Sequence, residues 1–166
     1  MKKWTIAFVN YKTTTYLKWQ LKILYEFNNP KEFEIIIVDN TKPHQKEELE
    51  NLTKKYNNEW NNIKIIFHNS KEPTASGQHG DGMTLAMKSA NSEYFLAQDP
   101  DFFFVIKNHL NFLESFLKEG KVAVGAPYTR GVGLGHPKFP ALWGAAHPLK
   151  LIQHLDCYAD ASDEAK

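Results

Sequence analysis

Four short apolar runs, each closed by polar residues, constrain this chain more than any other feature. Thr5-Ile6-Ala7-Phe8-Val9 ends at Asn10-Tyr11, Glu34 to Val38 at Asp39-Asn40, Ile63 to Phe67 at His68-Asn69, and Tyr94-Phe95-Leu96-Ala97 at Asp99-Pro100-Asp101. Short, nearly continuous apolar runs suit strands buried on both faces, as in parallel sheets. The segments between them carry apolar residues at helical spacing. Leu17, Leu21 and Leu24, with Ile23 and Phe27 beside them, predict a helix over about 14–27. Thr13 to Thr15 offer capping hydroxyls at its start, and Asn28-Asn29-Pro30 stops it. Leu49, Leu52 and Tyr56 mark a second helix, with Pro43 placed where a first turn tolerates proline. Met83, Ala86, Met87 and Ala90 put a third helix on roughly 80–90; Leu110, Leu113 and Leu117 give a fourth, closed by Gly120 as its C′ residue. A fifth strand is expected over 121–126, a Gly- and Pro-rich loop from Pro127 to Pro140, then a short strand or turn and a helix from about Pro148.

This alternation predicts an α/β fold: a mainly parallel, Rossmann-like sheet with helices on both faces. At 166 residues the chain suits a single domain. A hydrophobic share of 42% is too high for a disordered chain. Lys+Arg 20 against Asp+Glu 19 leaves no basic field to attract nucleic acid. The lone Cys157 excludes an intrachain disulfide and a cysteine-rich zinc site. The apolar runs are far shorter than the ~20 residues of a membrane-spanning helix. The opening Met1-Lys2-Lys3-Trp4 is followed by too little apolar sequence for a secretory signal. The expectation is a cytoplasmic protein without a transmembrane segment.

Sheets of this kind bind ligands at the carboxyl ends of their strands, so the polar strand ends are the first candidates for a site. Asp99-Pro100-Asp101 places two carboxylates at i and i+2 between apolar segments. An uncompensated charge there is expensive, and a hard cation such as Mg²⁺ or Mn²⁺, shared with substrate phosphates, offsets that cost. The same tripeptide is equally a turn initiator. Asp39 can accept a hydrogen bond from a uracil or thymine ring or from a ribose hydroxyl, or it can close an Asx-turn at the strand-to-helix junction.

Taken in order, Phe8-Val9-Asn10-Tyr11, Glu34 to Asn40 and Glu93-Tyr94-Phe95-Leu96-Ala97-Gln98-Asp99-Pro100-Asp101 resemble the nucleotide-sugar domain of family 2 glycosyltransferases, which have the GT-A fold. The resemblance covers about residues 4–127, leaving 128–166 as an acceptor-side part. It implies that Asn10 and Tyr11 line the nucleotide base and that Asp39 holds the base or ribose. It implies that Gly77 to Gly82 passes beneath the nucleotide, with Asp81 at a position that is Asn or another polar residue in many relatives. Asp99 and Asp101 become the first and last acids of an Asp-X-Asp motif, facing ribose or metal. The implied cofactor is Mn²⁺ or Mg²⁺, and the implied partners are a nucleotide-sugar donor, UDP- or dTDP-type, and a carbohydrate or other hydroxyl acceptor. The implied reaction is an inverting transfer of the sugar; the alternative is a nucleotide-sugar-binding domain without transfer activity.

In the carboxyl third, Trp143 is similar to a residue under the acceptor, where its ring would stack on a sugar face or pack in the core. Relatives supply a carboxylate general base beyond this point. Among Asp156, Asp160, Asp163 and Glu164, Asp163 and Asp156 are the first choices. His136, His147 and His154 lie where some relatives offer a histidine to the metal, but read more simply as loop or helix-surface residues. Gly131-Val132-Gly133-Leu134-Gly135 has no strand directly before it and no helix directly after, and is not a dinucleotide signature.

Overall fold

The structure, a computed structural model, describes residues 1–127 and 140–155. Its elements run β1 (Lys2–Asn10), α1 (Thr14–Phe27), β2 (Phe33–Asp39), α2 (Lys46–Trp60), β3 (Ile63–Phe67), α3 (Ala75–Ser89), β4 (Ser92–Gln98), α4 (His109–Lys118), β5 (Val124–Pro127), β6 (Pro140–Pro148) and α5 (Leu149–Leu155). They form one six-stranded sheet in the order β3-β2-β1-β4-β6-β5. β3, β2, β1 and β4 are parallel neighbours. β6 runs antiparallel to both β4 and β5.

The apolar runs of β1, β2 and β4 are continuous because each of these strands serves two cores, whereas the edge strand β3 is only partly buried. Alternate side chains of a strand leave opposite faces of the sheet. Trp4, Ile6, Phe8, Phe33, Ile35, Ile37, Tyr94 and Leu96 therefore pack with Leu17, Leu21 and Leu24 of α1, Leu49 of α2 and Leu110, Leu113 and Leu117 of α4. Their neighbours Ala7, Val9, Ile36, Val38, Phe95 and Ala97 meet Met83, Ala86 and Met87 of α3 and Leu149 and Ile152 of α5. At roughly 1.5–3 kcal/mol for each large side chain fully buried, these two layers supply the main drive to fold.

Several local expectations are corrected. Thr13 is the N-cap of α1, but its side chain does not cap the helix; its hydroxyl donates to Asn10 Oδ1 at 2.8 Å instead. Pro43 stands outside α2, which begins at Lys46. α3 begins five residues before the expected 80, because Thr74 accepts from the Gly77 amide and starts the helix there. β5 is shorter than expected, starting at Val124. The segment expected as a short strand or turn is the nine-residue β6, inserted between β4 and β5. Gly120 meets expectation. Its φ of 85° closes α4, with Gly120 N donating to Leu117 O and Lys121 N to Phe116 O, the paired bonds of a Schellman motif.

Candidate functional site

The chain order of the sheet reverses at β1, with β2 on one side and β4 on the other. Loops diverge at such a point and leave a crevice beyond the strand ends. Asn10 ends β1 there. Its Oδ1 accepts from the Thr13 amide at 3.0 Å, which orients the start of α1. Its Nδ2 donates to Asp39 Oδ1 at 2.9 Å and to Gln45 Oε1 at 3.3 Å. Asp39, at the matching position of β2, also accepts from the Thr41 amide at 3.2 Å and the Gln45 amide at 3.0 Å, and its Oδ2 faces His44 Nδ1 at 3.2 Å. Both Asn10 and Asp39 are 0% exposed. These side chains tie the β1–α1 and β2–α2 loops together, and the Asx-turn is the geometry Asp39 adopts. Tyr11, next to Asn10, is 57% exposed and reaches solvent.

The first turns of α3 draw the other strand ends in. Asn40 Nδ2 donates to Gln78 O at 2.6 Å. Gly82 packs so closely on Val9 that a Cβ there would lie 3.0 Å from Val9 Cγ1 and 3.1 Å from Asn40 Nδ2. His79 Nε2 lies 3.5 Å from Asp99 Oδ1, and His68 Nε2 lies 2.7 Å from Asp81 Oδ2. The hydrogen bonds from His68 and then Ser70 hold the Asp81 carboxyl below its ordinary range. The five residues from Gln78 to Gly82 thus touch the carboxyl ends of β1 and β2 and the loops that follow β2, β3 and β4.

The Asp99-Pro100-Asp101 segment is both an acidic pair and a turn: the Phe102 amide donates to Asp99 O at 3.1 Å. Pro100 is buried, Asp99 half-buried and Asp101 exposed. Burial raises the Asp99 carboxyl above its ordinary value; His79 opposes the rise and the Asp101 charge adds to it. Two carboxylates, one of them destabilised in its charged form, make a hard-oxygen donor set that fits Mn²⁺ or Mg²⁺. No cluster of three or more His, Cys, Asp or Glu able to hold a metal occurs among the described residues.

Two of the histidines singled out from the sequence, His147 and His154, lie elsewhere. His147 pairs with Phe95 in the β4–β6 register, its Nδ1 lies 3.2 Å from Val122 O, and burial lowers its pKa. His154 is exposed on α5. His136, Asp156, Asp160, Asp163 and Glu164 and the side chain of Trp143 lie outside the described residues. Among the described residues, the histidines that face the candidate carboxylates are His44, His68 and His79, which sequence reasoning did not assign to them. Their one legible signal was position, His68 directly after β3 and His79 two residues before Asp81. Among the described residues, no helix is long and apolar enough to cross a membrane.

No protein-family model and no curated protein sequence matches the chain. Solved structures do. Residues 1–349 of S. aureus TarS superpose with a TM-score of 0.67 at 21% identity, over 93% of this chain and 49% of that one. The same protein is known in complex with UDP-GlcNAc and with UDP. A mannosyltransferase of Pyrobaculum calidifontis, in complex with GDP-Man and Mn²⁺, superposes with a TM-score of 0.70 at 14% identity, over 92% of this chain and 46% of that one. Glucosyl-3-phosphoglycerate synthase of Mycobacterium tuberculosis superposes with a TM-score of 0.64 at 12% identity, over 91% and 58%. The chain therefore has the GT-A glycosyltransferase fold. It spans about half the length of these solved proteins.

Proposed function

We propose that this chain carries the donor-binding half of a family 2-like glycosyltransferase that moves a sugar from a nucleotide diphosphate to a hydroxyl acceptor with inversion. The observation that carries the reading is the Asp99–Asp101 turn beside the end of β1, where the sheet order of a GT-A fold reverses. Asp101, exposed, and Asp99, half-buried, are the residues that would hold Mn²⁺ or Mg²⁺. When bound, the ion supplies positive charge against the departing diphosphate.

The chain's own residues bind and orient. Tyr11 offers its ring to the base of a UDP- or dTDP-type donor. Asp39 reaches the nucleoside by exchanging its contact with His44, the partly exposed member of that pair. Asp81, held ionised by His68, accepts from sugar hydroxyls. Holding the donor this way fixes the anomeric carbon before attack. The acceptor oxygen then forms a bond to that carbon as its bond to the diphosphate oxygen breaks and the electron pair leaves with the nucleotide. The acceptor proton passes to a carboxylate, Asp163 or Asp156.

Isothermal titration with UDP, dTDP and GDP, each with and without Mn²⁺, tests the reading. One nucleotide binds in a Mn²⁺-dependent way, and Asp101→Ala weakens that binding by about tenfold or more while the circular dichroism spectrum is unchanged. Absence of binding by all three, or equal affinity in Asp101→Ala, overturns it. Addition of acceptor hydroxyl compounds to the UDP-sugar complex then separates transfer from binding alone.

A further inference from the structure

The carbonyls of Pro100 and Phe102, the residues that flank Asp101, are held by two buried glutamines that no part of the proposed mechanism requires. Gln20 of α1 and Gln98, the last residue of β4, are each 1% exposed. Gln20 Nε2 donates to Pro100 O at 3.0 Å and to Phe102 O at 2.5 Å. Gln98 Nε2 donates to Gln20 Oε1 at 2.8 Å and to Phe102 O at 2.7 Å. Each amide nitrogen has two hydrogens, so all four are in use. Neither amide can be turned over without setting oxygen against oxygen, so the network fixes both orientations. The consequence is an orphan: Gln98 Oε1 is buried with no partner.

Stability accounts for part of this arrangement: the two amides satisfy the carbonyls of Pro100 and Phe102, at the cost of one orphaned amide oxygen. Position accounts for the rest. The carbonyl before Asp101 and the carbonyl after it are both anchored, and the Phe102 amide closes the turn on Asp99 O. The backbone of Asp101 is therefore pinned on both sides while its carboxylate stays exposed. The anchored carbonyls of Pro100 and Phe102 are also occupied, while the Asp101 carboxylate stays open to an ion. A loop ordered in advance does not charge its ordering entropy to the ligand.

We propose that the Gln20–Gln98 amide pair is a positioning device that presents Asp101 to a hard divalent cation. This rests on the metal-dependent reading above. It is tested with Gln20→Met and with the double variant Gln20→Met/Gln98→Met, in which both amides are replaced by apolar chains of similar length. Three quantities are read: thermal midpoint, Mn²⁺ affinity in the presence of UDP by electron paramagnetic resonance titration, and UDP affinity without metal. Both variants should bind Mn²⁺ about tenfold more weakly, with metal-free UDP affinity unchanged within about twofold. The double variant leaves the Pro100 and Phe102 carbonyls without these donors and should melt lower; unchanged metal-free UDP affinity then separates positioning from folding. Parent-like Mn²⁺ affinity in the double variant, with the parent binding normally, overturns the positioning role alone. Failure of the parent to bind Mn²⁺ with UDP overturns the metal reading and the device with it.

Discussion

Gly144 offers the sharpest test of how β6 and the acidic turn are coupled. It is buried in β6 opposite Gln98, and the ring of Phe102 lies across it. A Cβ at this position would stand 2.4 Å from Phe102 Cε1, 2.6 Å from Cδ1 and 3.1 Å from Cζ. Carbon atoms rest at about 3.5–4.0 Å, so Gly144→Ala requires the ring to move by about 1 Å. Its freedom to do so is small. The ring meets Phe104 edge-on at 5.1 Å, and the Phe102 backbone is bonded to Asp99 O and to both buried glutamines. Overpacking of this kind costs about 1–3 kcal/mol. At about 2–4 °C per kcal/mol for a chain of this size, the midpoint falls by about 2–12 °C. Circular dichroism melts of Gly144→Ala, Phe102→Ala and the double variant form the assay. With the ring gone the three nearest atoms to the added methyl are gone too, so Gly144→Ala should cost under about 0.5 kcal/mol in the Phe102→Ala background. An equal cost in both backgrounds would refute the reasoning, since the penalty would then lie in the strand itself.

Two further outcomes are expected. Asp39→Asn keeps an acceptor for Asn10 and Thr41 but, as the retained oxygen is Oδ1, turns an amide toward the Gln45 amide that Oδ2 accepts from. Losing that charge-assisted bond costs about 1.5–3 kcal/mol, read as a drop in urea midpoint at constant m-value. His109 gives a pH signature. It is buried, with Nδ1 3.1 Å from Ile106 O and its ring stacked on Phe104 at 4.9 Å, and burial lowers its pKa from 6.5 to about 4. Below pH 6.5 the unfolded chain takes up a proton that the folded one refuses. Its stabilising contribution is therefore full above 6.5 and is lost as pH falls toward 4, by about 3 kcal/mol in all. Denaturant titrations across this range should show the slope, and His109→Phe should flatten it.

The elements were legible to the degree that their signals were local. Ile35 to Val38 and Tyr94 to Ala97 read as buried strands because both faces of each are covered. Leu110, Leu113 and Leu117 read as a helix face, and Gly120 as its end, because spacing and a positive φ are properties of a few adjacent residues. β6 was not legible. Ala141-Leu142-Trp143-Gly144-Ala145-Ala146 has no β-branched residue, and it becomes a strand because β4 and β5 leave a gap that it fills. The site divides in the same way. Asp39, Asp81, Asp99 and Asp101 stood out as acids near strand ends or the start of a helix, but the histidine facing three of them did not, because each pairing is decided by how α3 and the loops pack.

From the sequence alone came the α/β alternation, the acidic strand ends and the resemblance to a GT-A fold, since hydrophobic period and residue chemistry are carried by short stretches of chain. Only the tertiary structure decided that Asp39 points inward to four partners, that β6 runs antiparallel between β4 and β5, and that Gln20 reaches across 78 residues to Gln98. Those outcomes turn on which distant groups meet in the dark of the core, and an amide or a carboxylate is chemically the same wherever in the chain it is written.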